Sequence, residues 1–81
     1  MPDIELKDLV ANIAKALVDK PEQVITTEIK GQYTSVIELK VDKEDIGKVI
    51  GKNGRTAQAL RNILMSASAK LRTRCTLEIL D

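Results

Sequence analysis

The apolar positions of the first segment repeat with the period of an α-helix. Between Ile4 and Val18 they recur at intervals of three and four residues, with Asp3 placed as an N-cap and Pro21 just beyond the end. The apolar face consists of Leu6, Leu9, Val10, Ile13 and Leu17. We therefore predict a first helix over this segment.

Two segments rich in β-branched residues follow, over Val24–Lys30 and Thr34–Val41, and both alternate in the manner of β-strands. Because a glycine lies in the gap, we predict a hairpin with a three-residue loop of Gly31, Gln32 and Tyr33. With this loop, the apolar and small residues of both strands share one face of the hairpin: Ile25, Thr27, Ile29, Ser35, Ile37 and Leu39. The charged residues lie on the opposite face, toward solvent: Glu28, Lys30, Glu38 and Lys40. A two-residue loop would mix apolar and polar side chains on each face.

At Asp42 the pattern returns to that of a helix. Asp42 and Asp45 are spaced like a capping box, and Val41 and Ile46 are spaced like a hydrophobic staple. A short second helix follows, with the apolar residues Ile46, Val49 and Ile50. It must stop at residues 51–54, Gly-Lys-Asn-Gly, because two glycines and an asparagine accommodate the positive φ angles of a tight turn.

A third helix begins after this turn and a third strand ends the chain. The apolar stripe of the helix consists of Ala57, Leu60, Ile63, Leu64, Ala67 and Leu71, and Lys70 and Arg72 lie in its last turn. Alternation over Arg74–Leu80 predicts the strand. The resulting order of elements predicts an α+β fold, a two-layer sandwich in which three helices cover one face of a three-stranded sheet.

The composition narrows the possible functions. The chain has 81 residues, 43% of them hydrophobic, with no histidine, one cysteine (Cys75) and one aromatic residue (Tyr33). We expect one domain over residues 1–81, with no metal, cofactor, catalytic residues or small-molecule substrate, because the usual ligands and bases are missing. No apolar run approaches membrane-spanning length and no signal peptide follows Met1, so we expect a cytoplasmic protein with no membrane partner.

Charge is distributed unevenly along the chain. The first forty residues hold five basic and seven acidic residues, and the remainder holds eight basic and five acidic residues. Between Ile46 and Leu77 there are seven basic residues and no acidic residue. A positive potential in this region would attract an anionic partner, and nucleic acid is the obvious candidate.

Residues 49–54, Val-Ile-Gly-Lys-Asn-Gly, resemble the signature of KH domains, in which a G-x-x-G loop between two helices clamps the backbone of about four nucleotides. The element order resembles the type II arrangement, and the length resembles small bacterial single-KH proteins of the KhpA type. Ala57 departs from the larger aliphatic residue often found there. The resemblance implies binding of single-stranded RNA, as an RNA chaperone or post-transcriptional regulator. It also implies a homodimer and a possible heterodimer with a larger KH-containing, KhpB-like protein.

The chemistry of the turn supports the same role. With no Cβ at Gly51 or Gly54, a phosphate could lie against the turn and accept hydrogen bonds near the N-terminus of helix three. Neighbouring cations would add charge, aliphatic side chains would contact bases, and the backbone of strand two or nearby side chains would touch base edges. The predicted RNA-binding residues are Ile46, Lys48, Val49, Ile50, Gly51, Lys52, Asn53, Gly54 and Arg55.

Two alternatives remain at this point. A helix-turn-helix DNA binder could direct Arg55, Gln58 and Arg61 toward a major groove. A protein interaction module could act mainly through helix three, where Met65, Ser66 and Ala69 lie off the apolar stripe and form a possible dimer interface. A Walker A phosphate loop is excluded, since the spacing of its glycines does not occur here.

Overall fold

The computed structural model describes residues 5–81, which form three helices and three strands in the predicted order. The helices are α1 (Leu6–Leu17), α2 (Ile46–Ile50) and α3 (Arg55–Lys70), and the strands are β1 (Ile25–Lys30), β2 (Thr34–Lys40) and β3 (Arg74–Ile79). Single 3₁₀ turns lie at Pro21–Gln23 and Lys43–Asp45, and a turn with left-handed backbone angles at Asn53 and Gly54 joins α2 to α3. The predicted helix cap Asp3 and the predicted first helical residue Ile4 lie outside the described residues.

The sheet has the order β1-β2-β3, with an antiparallel β1–β2 pair and a parallel β2–β3 pair. The parallel connection passes through α2 and α3, and the helices pack on one face of the sheet. The core between the two layers includes Val10, Ala14, Ile37, Leu39, Val49 and Leu64. This confirms the predicted α+β sandwich. Every helix within residues 5–81 is too short or too polar to cross a lipid bilayer.

The predicted register of the hairpin is wrong. The N–H of Gly31 donates to the carbonyl oxygen of Thr34 at 2.7 Å, so the loop contains two residues rather than three. Ile29 is therefore opposite Val36, and Ile25 and Ile29 point away from the helices with 56% and 53% of their surface exposed. The sheet tolerates this orientation of the β1 side chains because β1 is an edge strand, and neither face of an edge strand must be fully apolar.

The inward face of β1 is consequently polar, and its Thr26 hydroxyl is satisfied by α1. Thr26 Oγ1 donates to the carbonyl oxygen of Lys7 at 3.0 Å. Glu28, which was expected to face solvent, is half-buried on the helix side opposite Ile37. The apolar content of this layer comes instead from the central strand, where Ile37 and Leu39 are fully buried.

The buried stripe of α3 also differs from the prediction. Ile63 and Leu71 are exposed, and Ser68 is buried in line with Ala57, Leu60 and Leu64. Ser68 can occupy a core position because its hydroxyl donates to the carbonyl oxygen of Met65, one turn earlier, at 3.1 Å.

The C-terminal end of α3 is closed by a Schellman motif with an arginine in the position that usually holds glycine. The N–H of Thr73 donates to the Ser68 carbonyl at 3.0 Å and that of Arg72 to the Ala69 carbonyl at 3.1 Å. Arg72 has a φ of 58°, in the left-handed region. It therefore follows the helix rather than lying in its last turn, as the sequence had indicated.

We expect Arg72→Gly to raise the free energy of unfolding by about 0.5–1 kcal/mol, because glycine adopts the left-handed conformation without a steric penalty. Urea unfolding followed by circular dichroism measures this change. The matched control is Lys70→Gly in the last helical residue, which should destabilise the fold instead. A loss of stability in both variants would contradict the prediction.

Candidate nucleic-acid interface

The turn between α2 and α3 contains three residues with positive φ. Gly51 has φ 77° and ψ 171°, Asn53 has φ 58° and Gly54 has φ 76°. A Cβ at Gly51 would overlap the Thr56 side chain and lie 2.8 Å from the Thr56 nitrogen, so the turn packs directly on the start of α3. A Cβ at Gly54 would meet no atom within 4 Å, so the space beside this residue is open. The sequence prediction of a tight turn is confirmed.

Positive charge and hydrogen-bond donors surround this open side. Lys52, Asn53 and Arg55 are exposed, and within residues 5–81 neither cation forms an ion pair. Gly54 is the N-cap of α3 and offers no side chain to cap the first backbone N–H groups of the helix. The N–H of Arg55 donates to the Lys52 carbonyl, but this helix start has no side-chain cap and is flanked by two cations, which suits an anion such as a phosphate.

The aliphatic residues of α2 divide into two groups. Ile46 is half-buried and Ile50 is exposed beside the turn, so both offer surface to a ligand. Val49 has no exposed surface and belongs to the core. This corrects the expectation that Val49 contacts a base. It holds α2 against the other helices instead.

Lys48 points toward the connection that follows α1. Its Nζ lies 2.9 Å from Asp19 Oδ2 and 3.4 Å from Asp45 Oδ1. Hydrogen bonds to these two carboxylates raise the pKa of Lys48 above its ordinary value, against a smaller opposing effect of burial. These two ion pairs tie Lys48 to the structure around α2, and its contact with RNA stays a prediction.

Sequence reasoning missed the role of Asp45, which is only 1% exposed. Its carboxylate accepts hydrogen bonds from the backbone N–H groups of Asp19 at 3.3 Å and Lys20 at 3.0 Å. Burial alone would raise the pKa of Asp45, but these two donors together with Lys48 outweigh it and hold the pKa below its ordinary value. The carboxylate thus ties the start of α2 to the α1–β1 connection.

The predicted capping box does not form, although both of its aspartates accept backbone hydrogen bonds. Asp42 accepts from the N–H of Glu44 at 2.9 Å, and Asp45 caps a distant segment rather than its own helix. The sequence therefore indicated that both aspartates accept backbone hydrogen bonds. It could not identify the donors to Asp45, because they lie about 25 residues earlier in the chain.

A second part of the interface lies between α3 and β3. A cleft of about 190 Å³ is lined by Arg61, Met65, Cys75, Thr76 and Leu77. Among residues 5–81 β3 is an edge strand, so backbone groups on one of its sides have no strand partner there, whereas β2 is paired on both sides. Of the two expected contacts with base edges, the one through the backbone of strand two is therefore wrong, and the one through nearby side chains stays a prediction. β3 is the strand that can present its backbone to bases.

Comparison with known proteins agrees with this geometry. The sequence model described as KhpA/KhpB, KH domain, matches residues 7–79 of this chain. The chain belongs to this family. The resemblance to KH domains predicted from the Gly-Lys-Asn-Gly turn is confirmed, and so is the type II order of elements.

Two relatives of this KH domain are named RNA-binding protein KhpA. The one from Aquifex aeolicus (strain VF5) is 54% identical over 94% of this chain and 96% of its own length. The one from Clostridium perfringens (strain 13 / Type A) is 48% identical over 93% of this chain and 100% of its own length. The similarity thus extends over nearly the full length of both relatives.

A solved structure shares the fold of this KH domain. Aquifex aeolicus Era, crystallised as a variant with GDP and AlF4−, matches with a TM-score of 0.56 and 22% sequence identity. The match covers 95% of this chain and 31% of the Era chain, so this KH domain spans about a third of that protein. At this identity the likeness concerns the fold alone.

We expect Asp45→Asn to lower the thermal midpoint of this KH domain by several degrees at pH 7, because an amide places donor hydrogens against backbone donors. The pKa of Asp45 is lowered in the folded state from an ordinary value of 3.8, so its contribution is complete above that value and disappears as the pH falls through the folded pKa. Thermal unfolding from pH 7 to pH 2 checks this.

The matched control for this measurement is Asp8→Asn, on the exposed side of α1. Its unfolding midpoint should follow that of the wild type closely at every pH. An equal midpoint for wild type and Asp45→Asn at pH 7 would contradict the structural role of the buried carboxylate.

Proposed function

We propose that this chain binds single-stranded RNA without catalysing a reaction, and that residues 51–54 grip the RNA backbone. The observation that carries the proposal is the open, positive-φ turn at the uncapped start of α3, with Lys52 and Arg55 exposed beside it. Membership of the KhpA/KhpB family and the RNA-binding names of relatives support it.

The turn provides a place for a phosphate. The open side of Gly54 allows an RNA backbone to come close to the start of α3, where the helix dipole favours an anion. Lys52 and Arg55 add a screened Coulombic attraction, which makes binding dependent on salt. Asn53 holds the left-handed conformation at low cost, because its side chain is short and polar.

The bases would lie beside the turn in the cleft between α3 and β3. Arg61 and Met65 form one wall of this cleft, and the free edge of β3 near Thr76 supplies backbone donors and acceptors for base edges. Aliphatic walls and backbone edges replace the aromatic platform of other RNA-binding folds. A contact with about four nucleotides in such a groove gives modest affinity and weak sequence preference.

Association through α3 is the second component of the proposal. Met65 is 64% exposed, and Ser66 and Ala69 are small exposed residues that allow a second helix to approach. A homodimer, or a heterodimer with a larger KH-containing, KhpB-like protein, would raise the effective concentration of RNA sites. Because Met65 also lines the α3–β3 cleft, RNA and the second chain would compete for it.

The proposed setting is the cytoplasm, with residues 1–81 as one KH domain that acts as an RNA chaperone or post-transcriptional regulator. The helix-turn-helix alternative is less favoured, because α2 has only five residues and Arg61 lies in a cleft beside β3. The family match also favours the KH assignment.

We expect the double variant Lys52→Asp, Asn53→Asp to bind mixed-sequence single-stranded RNA at least about ten-fold more weakly than the wild type, because it replaces attraction for phosphate with repulsion. Fluorescence anisotropy at two salt concentrations measures the affinity. Duplex DNA serves as the competing ligand that a helix-turn-helix protein would prefer.

The matched control is Lys15→Asp, Asn12→Asp, which makes the same change of charge at exposed positions of α1. It should retain affinity within about two- to three-fold. Equal weakening by both double variants would indicate that net charge, rather than the turn, binds the RNA. Circular dichroism verifies that each variant is folded.

We expect Met65→Lys to reduce self-association, because it places a charge in the proposed helix contact. Multi-angle light scattering at high protein concentration should give a mass above the monomer for the wild type and a lower one for the variant. The control Ile29→Lys alters another exposed apolar residue, on the sheet, and should leave the mass unchanged. A strictly monomeric wild type would refute this part of the proposal.

A further inference from the structure

A larger cleft lies at the end of the fold away from the Gly-Lys-Asn-Gly turn. It encloses about 430 Å³ between the tip of the β1–β2 hairpin and the segment that follows α3. Tyr33 and Lys30 line it on the hairpin side, and Leu71 and Arg72 line it on the α3 side. None of these four residues takes part in the proposed grip on the RNA backbone.

Tyr33 gives this cleft a surface for stacking. It is the only aromatic residue of the chain, it lies in the two-residue hairpin loop, and it is 80% exposed. Gln32 Nε2 donates to Tyr33 Oη at 3.1 Å. The ring contributes little to the core, and the exposed Leu71 adds apolar surface to the same cleft. Aromatic rings in this situation are suited to stack on unpaired bases.

The charges around the cleft suit a nucleotide. Two cations, Lys30 and Arg72, and two carboxylates, Glu5 and Glu28, lie in the lining. Lys70 and Arg74 add two cations next to it, and within residues 5–81 none of the four cations forms an ion pair. The Schellman motif fixes the backbone of Arg72 beside the cleft. Glu28, half-buried in the lining, offers a carboxylate that can accept from the exocyclic amino group of cytosine.

We propose that this cleft is a second RNA-contact site, which receives one unstacked nucleobase against Tyr33 while the cations hold the adjoining phosphates. The inference rests on the proposed function, because the base belongs to the same strand that the turn grips. It adds a binding site that is separate from the turn and from the α3–β3 cleft.

The distance between the Gly-Lys-Asn-Gly turn and the hairpin cleft sets the length of RNA that can contact both. α3 has 16 residues and therefore separates the turn from the hairpin cleft by about 24 Å. A stacked strand advances about 3.4 Å per nucleotide, so about seven stacked nucleotides, or fewer extended ones, reach from one site to the other. A tetranucleotide at the turn cannot reach Tyr33 if its bases are stacked, and an octanucleotide can.

The experiment compares a tetranucleotide and an octanucleotide of mixed-sequence single-stranded RNA. The chain contains one tyrosine and no tryptophan, so its intrinsic fluorescence reports on Tyr33 alone. We expect the octamer to quench this fluorescence on binding and the tetramer to leave it nearly unchanged. Fluorescence anisotropy of labelled RNA gives the affinities in parallel.

Variants test the residues of the cleft. Tyr33→Leu and Arg72→Gln should each weaken octamer binding by about five-fold or more, as expected for loss of a stacked base or a phosphate contact, and change tetramer binding by less than about two-fold. The matched controls are Tyr33→Phe, which keeps the ring, and Lys43→Gln, which removes an exposed charge elsewhere. Both should bind the octamer nearly as tightly as the wild type.

Several results would overturn the inference. If Tyr33→Leu binds the octamer like the wild type, the cleft does not hold a base of the strand. If cytidine or adenosine monophosphate quenches the fluorescence at the same concentration as the octamer, the cleft is a site for free nucleotides rather than for the strand. Octamer binding without any effect of Tyr33 would overturn this inference alone, whereas failure of both oligonucleotides to bind would overturn the proposed function as well.

Discussion

The buried carboxylate of Asp45 determines where the Gly-Lys-Asn-Gly turn lies. A helix as short as α2 does not hold its shape in isolation, because helix formation has a costly nucleus. Asp45 fixes its start through two backbone donors after α1, and Val49 fixes its middle through the core. Close packing of Gly51 on Thr56 fixes its end. The turn is therefore presented by a supported helix rather than by a flexible loop.

The contacts that hold α2 in place also give different roles to two lysines that look equivalent in the sequence. Lys48 and Lys52 are four residues apart in an acid-free segment, yet Lys48 neutralises the carboxylates of Asp19 and Asp45 while Lys52 is exposed at the turn. Pairing of Lys48 lowers the cost of burying Asp45. Of these two lysines, only Lys52 therefore offers its charge at the turn, where the start of α3 already favours an anion.

The sequence predicted the elements, their order and the turn, because each depends on local periodicity and on glycine chemistry. It did not predict which side chains of β1 face the helices. Alternation shows that every second residue lies on the same face of an edge strand, but not which of its two partly exposed faces turns inward. Ile29 therefore lies outside and Glu28 inside. It also did not predict the role of Asp45, because the donors come from a segment about 25 residues away and no local pattern encodes such a pairing.

A domain of this kind needs more than one contact to hold RNA firmly, and the structure offers two physically different ways to add one. A second contact on the same chain, at Tyr33, increases affinity by an amount that depends on RNA length and not on protein concentration. The second chain proposed on α3 would increase affinity only when the dimer forms, and it would cover Met65, which lines the α3–β3 cleft. The two effects respond to different variables, so strand length and protein concentration, varied independently, separate them. Because Tyr33 lies beyond the far end of α3, the first mechanism can operate in a monomer.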